Sequence, residues 1–227
     1  ISCAYCHRIQ AVEKGFMANK NIISSEEKDY FGGLDKPLRN KFHYQAKNEN
    51  FINGNVCMGC HSHKKNKEKL DVCVTDMSQP NDKENCITCH MPRVEGSISN
   101  KSESTMHRYH GFPGANSGAE MLSQYVDINF TKNETGFSIE VHNQSPHDLL
   151  LHPLRLTQLN VSIIRDGNVH DLRSHTFVRV IGKDKKPTPP WLANAIVKNT
   201  MIKGKEKRKL EYQNIIQSGD KIKVVLG

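Results

Sequence analysis

Three times in its first ninety residues the chain carries Cys-x-x-Cys-His: Cys3-Ala-Tyr-Cys6-His7, Cys57-Met-Gly-Cys60-His61 and Cys86-Ile-Thr-Cys89-His90. Two thiols one helical turn apart can add to the two vinyl groups of a porphyrin, and the imidazole that follows is placed to ligate its iron. The pattern is an attachment site for c-type haem. With 12 histidines in 227 residues, chance would put a histidine behind all three pairs about once in ten thousand. Three covalent haem c groups are therefore expected. Cys3, Cys6, Cys57, Cys60, Cys86 and Cys89 hold the rings, and His7, His61 and His90 are the proximal iron ligands. Zinc fits poorly, because six paired cysteines do not divide into four-thiolate sites and a zinc ribbon has no use for a histidine after every second cysteine. A thioredoxin-type dithiol occurs once, at the start of a helix in a strand-helix-strand unit.

Three macrocycles change what the polypeptide must bury. A hydrophobic content of 36% is low for a self-sufficient core of this length, and haem can supply the difference. Long loops in the first half then need not mean disorder. All seven cysteines lie before residue 120, and beyond it apolar residues begin to alternate. Helical patches are expected over 8–18 and 38–48, with a break at Gly32 and Gly33. The Ser, Gly and Asn-rich loop 97–116 contains His107 and His110, so it has something to hold. Strands are expected at 126–131, 136–142, 156–164, 176–181, 193–200, 207–212 and 221–226, bounded by Gly, Asn and Pro turn signals. The lone Trp191 is expected in their core. The reading is of two domains. Residues 1–120 form a mainly α or irregular haem-packed domain, and residues 121–227 form an all-β, immunoglobulin-like antiparallel sandwich.

The formal charge of +8 would ordinarily suggest nucleic acid or an anionic membrane. Haem changes the sum: three oxidised groups contribute about −3 and three reduced ones about −6, so the loaded chain is only weakly basic. The basic runs 63–69 and 203–209 are mixed with Asn, Glu and Gly and read as solvated surface. No nucleic-acid partner is expected, and no apolar stretch is long enough to span a bilayer. Haem attachment of this type takes place outside the cytoplasmic membrane, so the expected location is periplasmic or extracellular, with an export signal upstream of Ile1. The first cysteine is only the third residue, and an upstream segment could carry another haem or a ligand. Cys73 has no disulfide partner once the other six are committed, and is expected as a small buried hydrophobe.

The sixth iron ligand decides function. Imidazole on both faces gives a low-spin, lower-potential centre suited to electron transfer, whereas methionine raises the potential and an open face admits substrate. Nine histidines remain, namely His43, His63, His107, His110, His142, His147, His152, His170 and His175, and their surplus favours bis-histidine haems. Of the methionines Met17, Met58, Met77, Met91 and Met106, Met58 and Met91 lie too close to a proximal histidine to reach over.

Cys86-Ile-Thr-Cys89-His90-Met91-Pro92 is similar to the Cys-x-x-Cys-His-Met-Pro of multihaem cytochromes c, and His110-Gly-Phe-Pro-Gly114 resembles the His-x-Phe-x-Gly that follows it. Val141-His-Asn143-Gln-Ser-Pro-His147, Asn199-Thr200 and Gly204-Lys-Glu206 resemble segments of a trailing β-domain. The chain thus resembles the multihaem c-type cytochromes of bacterial and archaeal electron-transfer chains, in particular relatives of the tetrahaem cytochrome of ammonia oxidisers. The resemblance implies His43, His110 and His147 as distal ligands, with His107, His142 and His152 as alternatives. It departs at Pro146, where the family has Gly, and at Leu150-Leu151-His152-Pro153, where it has Pro-Thr-Gly.

The expected function is single-electron transfer through three haems to redox partner proteins. All three motifs end in His and none in the Lys of some multihaem reductases, which favours a carrier. Two alternatives stay open: a subunit of an extracellular conducting filament or larger redox complex, and an oxidoreductase with one open haem acting on a small nitrogen or sulfur compound.

Overall fold

Short extended segments pair as strands in the first half of the chain, where helices are expected. The structure is a computed structural model that describes residues 2–37, 40–75, 83–97, 104–114, 119–149, 152 and 154–227. The three motifs wind into single helical turns, α1 (Cys3–His7), α2 (Met58–His61) and α3 (Cys86–His90). Between α1 and α2 lie β1 (Ile9–Glu13), β2 (Lys20–Ile23), β3 (Asp29–Gly32) and β4 (Tyr44–Lys47). β1 and β2 are antiparallel, with Val12 opposite Asn21, and β3 and β4 are parallel, with Phe31 opposite Ala46. After α2 come β5 (Lys64–Lys65) and β6 (Asp71–Cys73), and after α3 the antiparallel pair β7 (Arg93–Glu95) and β8 (Met106–Arg108).

A last short helix, α4 (Ala119–Tyr125), precedes the long strands. These are β9 (Val126–Lys132), β10 (Phe137–Asn143), β11 (Leu156–Arg165), β12 (Asn168–Asp171) and β13 (His175–Lys183). They continue as β14 (Lys186–Pro187), β15 (Ala195–Asn199), β16 (Lys207–Tyr212) and β17 (Lys221–Leu226). β10 sits between β9 and β16 in one sheet. In the other, β11 pairs with β12, β13 and β17, and β13 also pairs with β14 and β15.

Helix accounts for only 13% and strand for 42%, and the sheets are mostly small with a curled half-barrel, which overturns both halves of the expected fold class. The first half is not mainly α, because Ile9, Val12, Ile22 and Ile23 favour extended backbone and find each other across β1 and β2. The second is not an immunoglobulin-like sandwich. Burial concentrates on β10, β11 and β13, whereas β9 is exposed at every position after Val126 and offers no second apolar layer. A register shift between Val180 and Ile181, where β13 meets β15, helps curl the sheet. Each expected strand position does carry a strand. β12 and the two-residue β14 are additional, and the signal for β12 is Asp166-Gly167, whose φ values of 50° and 79° fit a tight hairpin turn.

The chain divides into two compact units, residues 1–64 with 79–122 and residues 65–78 with 123–227. In the second, Phe137, Ile139 and Val141 alternate inward on β10, and Leu159, Val161 and Ile163 do so on β11. Phe137 stacks on Tyr212 with ring centroids 5.0 Å apart. Residues 65–78 belong here because Arg179 donates to the carbonyls of Asp71 (2.5 Å) and Val72 (2.8 Å), and Asn66 Nδ2 to those of Pro190 (2.7 Å) and Ala193 (2.6 Å). Trp191 is 68% exposed and does not join the core. Cys73 is half-buried on β6.

β17 is locked to the end of β11 by a two-pronged ion pair, Arg165 Nε to Asp220 Oδ1 (2.9 Å) and Nη2 to Oδ2 (2.7 Å), with the Asp220 side chain 1% exposed. The guanidinium holds the Asp220 carboxyl down at about 2. An unfolded aspartate titrates near 3.9, so this pair stabilises the fold above that pH and loses its contribution as pH falls toward about 2. Asp220→Asn is expected to lower the thermal midpoint at neutral pH and flatten its decline between pH of about 4 and 2. Thermal unfolding across that range checks it, and an unchanged acid limb in the variant would refute it.

Candidate functional site

The three attachment helices owe their positions to asparagine and glycine. Ser2 caps α1 by accepting from the Tyr5 N–H, and Asn85 caps α3 by accepting from Ile87 N (3.0 Å) and Thr88 N (3.2 Å). The Asn85 N–H in turn donates to Thr88 Oγ1 (2.8 Å), completing a capping box. Asn85 Nδ2 also donates to the Ile52 carbonyl (3.1 Å), tying α3 to the turn that leads into the second motif. In that turn Gly54 has φ +80°, and a Cβ on it would stand 3.2 Å from Cys86 N. Glycine is required there for both reasons.

The consequence is that attachment points of different motifs meet. The Cys57 thiol donates to the Cys86 sulfur; that bond and burial push Cys57 up, and the same bond holds Cys86 down at about 7. In a haem-bearing chain both sulfurs would be thioethers, so the contact is informative as proximity. Asn21 on β2 links the second motif to the first, its Nδ2 donating to Cys60 Sγ (3.3 Å) and to Tyr5 Oη (3.5 Å). Cys6 is pushed up by burial and by the nearby Cys60. Gly59 lets this happen, since a Cβ there would overlap the Asn21 side chain. None of the seven cysteines forms a disulfide.

Two of the three motif imidazoles are oriented by backbone carbonyls. His7 Nδ1 donates to the Phe31 carbonyl on β3 (2.6 Å), and His90 Nδ1 donates to the Pro113 carbonyl (2.7 Å). Because a carbonyl only accepts, each Nδ1 carries the proton and Nε2 carries the lone pair. That is the tautomer and the second-shell bond of a metal-binding histidine, so the residues present fit an axial ligand to haem iron. His61 ends α2 and is exposed. Among the described residues no three His, Cys, Asp or Glu side chains gather where they could hold a bare metal ion. A porphyrin needs only two from the protein.

The expected distal histidines are distributed unevenly. His110 is brought to His7, with ring centroids 6.2 Å apart, and its Nδ1 donates to the Arg108 carbonyl (2.8 Å). His43 immediately precedes β4 and stands edge-on to Tyr30 at 4.7 Å. His107, on β8, turns its Nδ1 to the Gly96 carbonyl (3.1 Å). In the second unit His147 Nδ1 donates to the Asp148 carbonyl (2.7 Å), His142 Nδ1 is 3.7 Å from Asp127 Oδ2, and His152 Nδ1 accepts from Leu154 N (3.1 Å). His63 Nε2 lies against the Gly15 and Phe16 carbonyls (2.8 and 3.1 Å). Met77, Leu150, Leu151 and Pro153 lie outside the described residues. Across β7 and β8 Arg93 faces Arg108, and burial followed by that neighbour pushes the Arg108 guanidinium down.

No protein-family model matches the chain, and no curated protein matches it. Among solved structures, a penta-heme cytochrome c552 from Thermochromatium tepidum superposes with a TM-score of 0.63 over 93% of this chain, at 18% identity. The two chains share a fold. The chain spans 64% of the length of that cytochrome. Among the described residues no helix is long and apolar enough to cross a membrane. Sequence reasoning missed the carbonyls of Phe31 and Pro113 and the bridging Asn21. Only Asn85 had a readable signal, a cap residue followed three positions later by Thr88.

Proposed function

We propose that the protein is an exported electron carrier in which three covalently attached haems pass single electrons along a short chain to redox partner proteins. The observation that carries this reading is the meeting of the three attachment segments within one unit, Cys57 against Cys86 and Cys60 linked through Asn21 to Tyr5 of the first motif. Rings held at these points lie close to one another by construction. Haem iron, when bound, supplies a one-electron couple whose potential is set by its axial ligands and surroundings.

The residues of this chain do the remaining work. Cys3, Cys6, Cys57, Cys60, Cys86 and Cys89 fix ring positions, and His7, His61 and His90 supply the proximal nitrogens. The Phe31 and Pro113 carbonyls orient His7 and His90. Exposed Phe16, Phe42 and Phe112, 65%, 66% and 57% accessible, offer apolar surface for macrocycle edges to cover. The penta-heme neighbour shares this fold, and a multihaem wire is the use of it that the three motifs support best.

Mass spectrometry of the intact, matured chain is expected to show three increments of about 0.6 kDa each. Redox titration of the same sample is expected to reduce it in one-electron steps equal in number to the haems. A colourless chain at its unmodified mass would end the proposal.

A further inference from the structure

We propose that the turn bearing Trp191 and Leu192 docks the protein onto an anionic lipid surface. Both side chains enter the headgroup boundary, and lysines of two neighbouring turns hold acidic lipids around them. The docking turn lies wholly in the second unit, so this role is separate from the haem chemistry and adds where the protein works.

The first observation is an exposed apolar tip. Trp191 is 68% and Leu192 54% exposed, side by side, next to an Ala193 that is fully buried. Tryptophan is suited to a membrane interface, where its ring meets the apolar boundary and its indole N–H stays wet.

The second observation is the backbone that presents the tip. Pro189 and Pro190 have no N–H, and those of Leu192 and Ala193 donate to the Pro189 carbonyl (2.9 and 3.1 Å). Asn194 N donates to the Gly182 carbonyl (2.9 Å), and Asn66 Nδ2 donates to the carbonyls of Pro190 (2.7 Å) and Ala193 (2.6 Å). Main-chain polar groups that approach hydrocarbon must be satisfied within the protein. This tip meets that condition over most of its length. A turn that meets a protein has no such need, because a protein surface offers hydrogen-bonding groups of its own, and this favours lipid over an acidic protein.

The third observation is charge. In the hairpin of β13 and β14, Lys183 stands directly opposite Lys186, a like-charge pair that weakens a sheet, and Lys185 takes φ +61°. Lys183 N donates to Thr188 Oγ1 (3.0 Å), which joins this hairpin to the start of the tip. A second turn is closed by Lys69 N donating to the Asn66 carbonyl (3.0 Å), and Asn66 ties it to the tip. It adds Lys67 and Lys69. All five lysines are exposed, and among the described residues none of them forms an ion pair. Only Glu68 and Asp184 stand among them in the two turns. Lysine stems can lie along the apolar boundary while the ammonium groups reach lipid phosphates.

Vesicle binding by the matured, full-length holoprotein tests the assignment. With phosphatidylcholine vesicles containing about 30% phosphatidylglycerol the protein is expected to co-sediment at low salt, and with phosphatidylcholine alone to stay in solution. Gel staining locates the chain, so the result does not depend on haem content and fails separately from the electron-carrier reading. Trp191→Ala and the pair Lys183→Gln with Lys186→Gln are each expected to weaken partitioning about tenfold. The lysine pair also relieves a like-charge contact, which keeps the fold intact. Lys221→Gln with Lys223→Gln makes the same charge change at exposed positions of β17, which pairs with β11, and is expected to alter binding less than about twofold. An equal loss in that control, or none in Trp191→Ala, reduces the effect to overall positive charge and overturns the assignment. No binding to the acidic vesicles overturns it as well. Retention on immobilised polyglutamate that the tip variants lose, without vesicle binding, gives the patch to an acidic protein instead.

Discussion

A chain produced without haem attachment is expected to lose the structure of residues 1–64 and 79–122 and to keep that of residues 123–227. Of the fifteen buried apolar side chains among the described residues, only Ile9 and Ile87 belong to the first unit. At about 1.5–3 kcal/mol each, two such side chains fall far short of the entropy lost by ordering that much backbone. With haem attached as proposed, the first unit is stable only around its macrocycles, while the second has Phe137, Ile139, Val141, Leu159, Val161, Phe177 and Ile202 to sustain it. Replacing the six motif cysteines with serine, or expressing the chain without maturation, gives the sample. Hydrogen exchange is expected to show protection over β10, β11 and β13 and little elsewhere. Full protection of β1 to β4 in a haem-free chain would show that the polypeptide alone builds the first unit.

Asn143→Ala is expected to destabilise the second unit by about 3 kcal/mol, a large effect for a single side chain. Asn143 is fully buried at the end of β10, and its amide ties two turns together. Nδ2 donates to the carbonyls of His147 (2.9 Å), Lys203 (3.0 Å) and, at longer range, Ile202 (3.4 Å). Oδ1 accepts from Ser145 N (3.1 Å) and Ser145 Oγ (2.7 Å). Alanine removes these bonds together, at about 1 kcal/mol each, and takes from the buried Ser145 N–H the Asn143 oxygen it donates to. The turns meet closely, since a Cβ on Gly204 would stand 2.8 Å from the Pro146 carbonyl carbon. Asn143→Asp is expected to be worse, because it aims a carboxylate at carbonyl oxygens. Urea denaturation followed by far-ultraviolet circular dichroism measures the change, and a loss under about 1 kcal/mol would mean the turns hold without it.

What the sequence made readable divides along physical lines. Covalent chemistry is local, so Cys-x-x-Cys-His announces itself, and the same spacing winds each motif into one turn of helix. Strand positions in the second half were also readable, because alternation such as Phe137-Ser-Ile-Glu-Val records a one-sided burial that persists in β10. Their assembly was not. β16 and β17 are consecutive in sequence yet pair with β10 and β11 in different sheets, a choice made by long-range partners that periodicity does not encode. The helices expected over 8–18 and 38–48 failed for a related reason. Weak periodicity there reflected backbone lying as short strands, Ile9–Glu13 and Tyr44–Lys47, and the tertiary pairing overrode the local reading. Among the candidate ligands, His110 had no sequence signal that named His7 as its neighbour, because the two are joined only through the fold.

Residues 65–78 give the chain an order of assembly. Asn66, Asp71 and Val72 find their partners at Arg179, Pro190 and Ala193, which leave the ribosome long after them. Throughout that interval the segment between the second and third attachment motifs waits without its companions, while the third motif is made. A polypeptide cut after residue 122 would be left waiting for good, so the stretch with the three motifs is not a cassette that can be lifted out by a single scission.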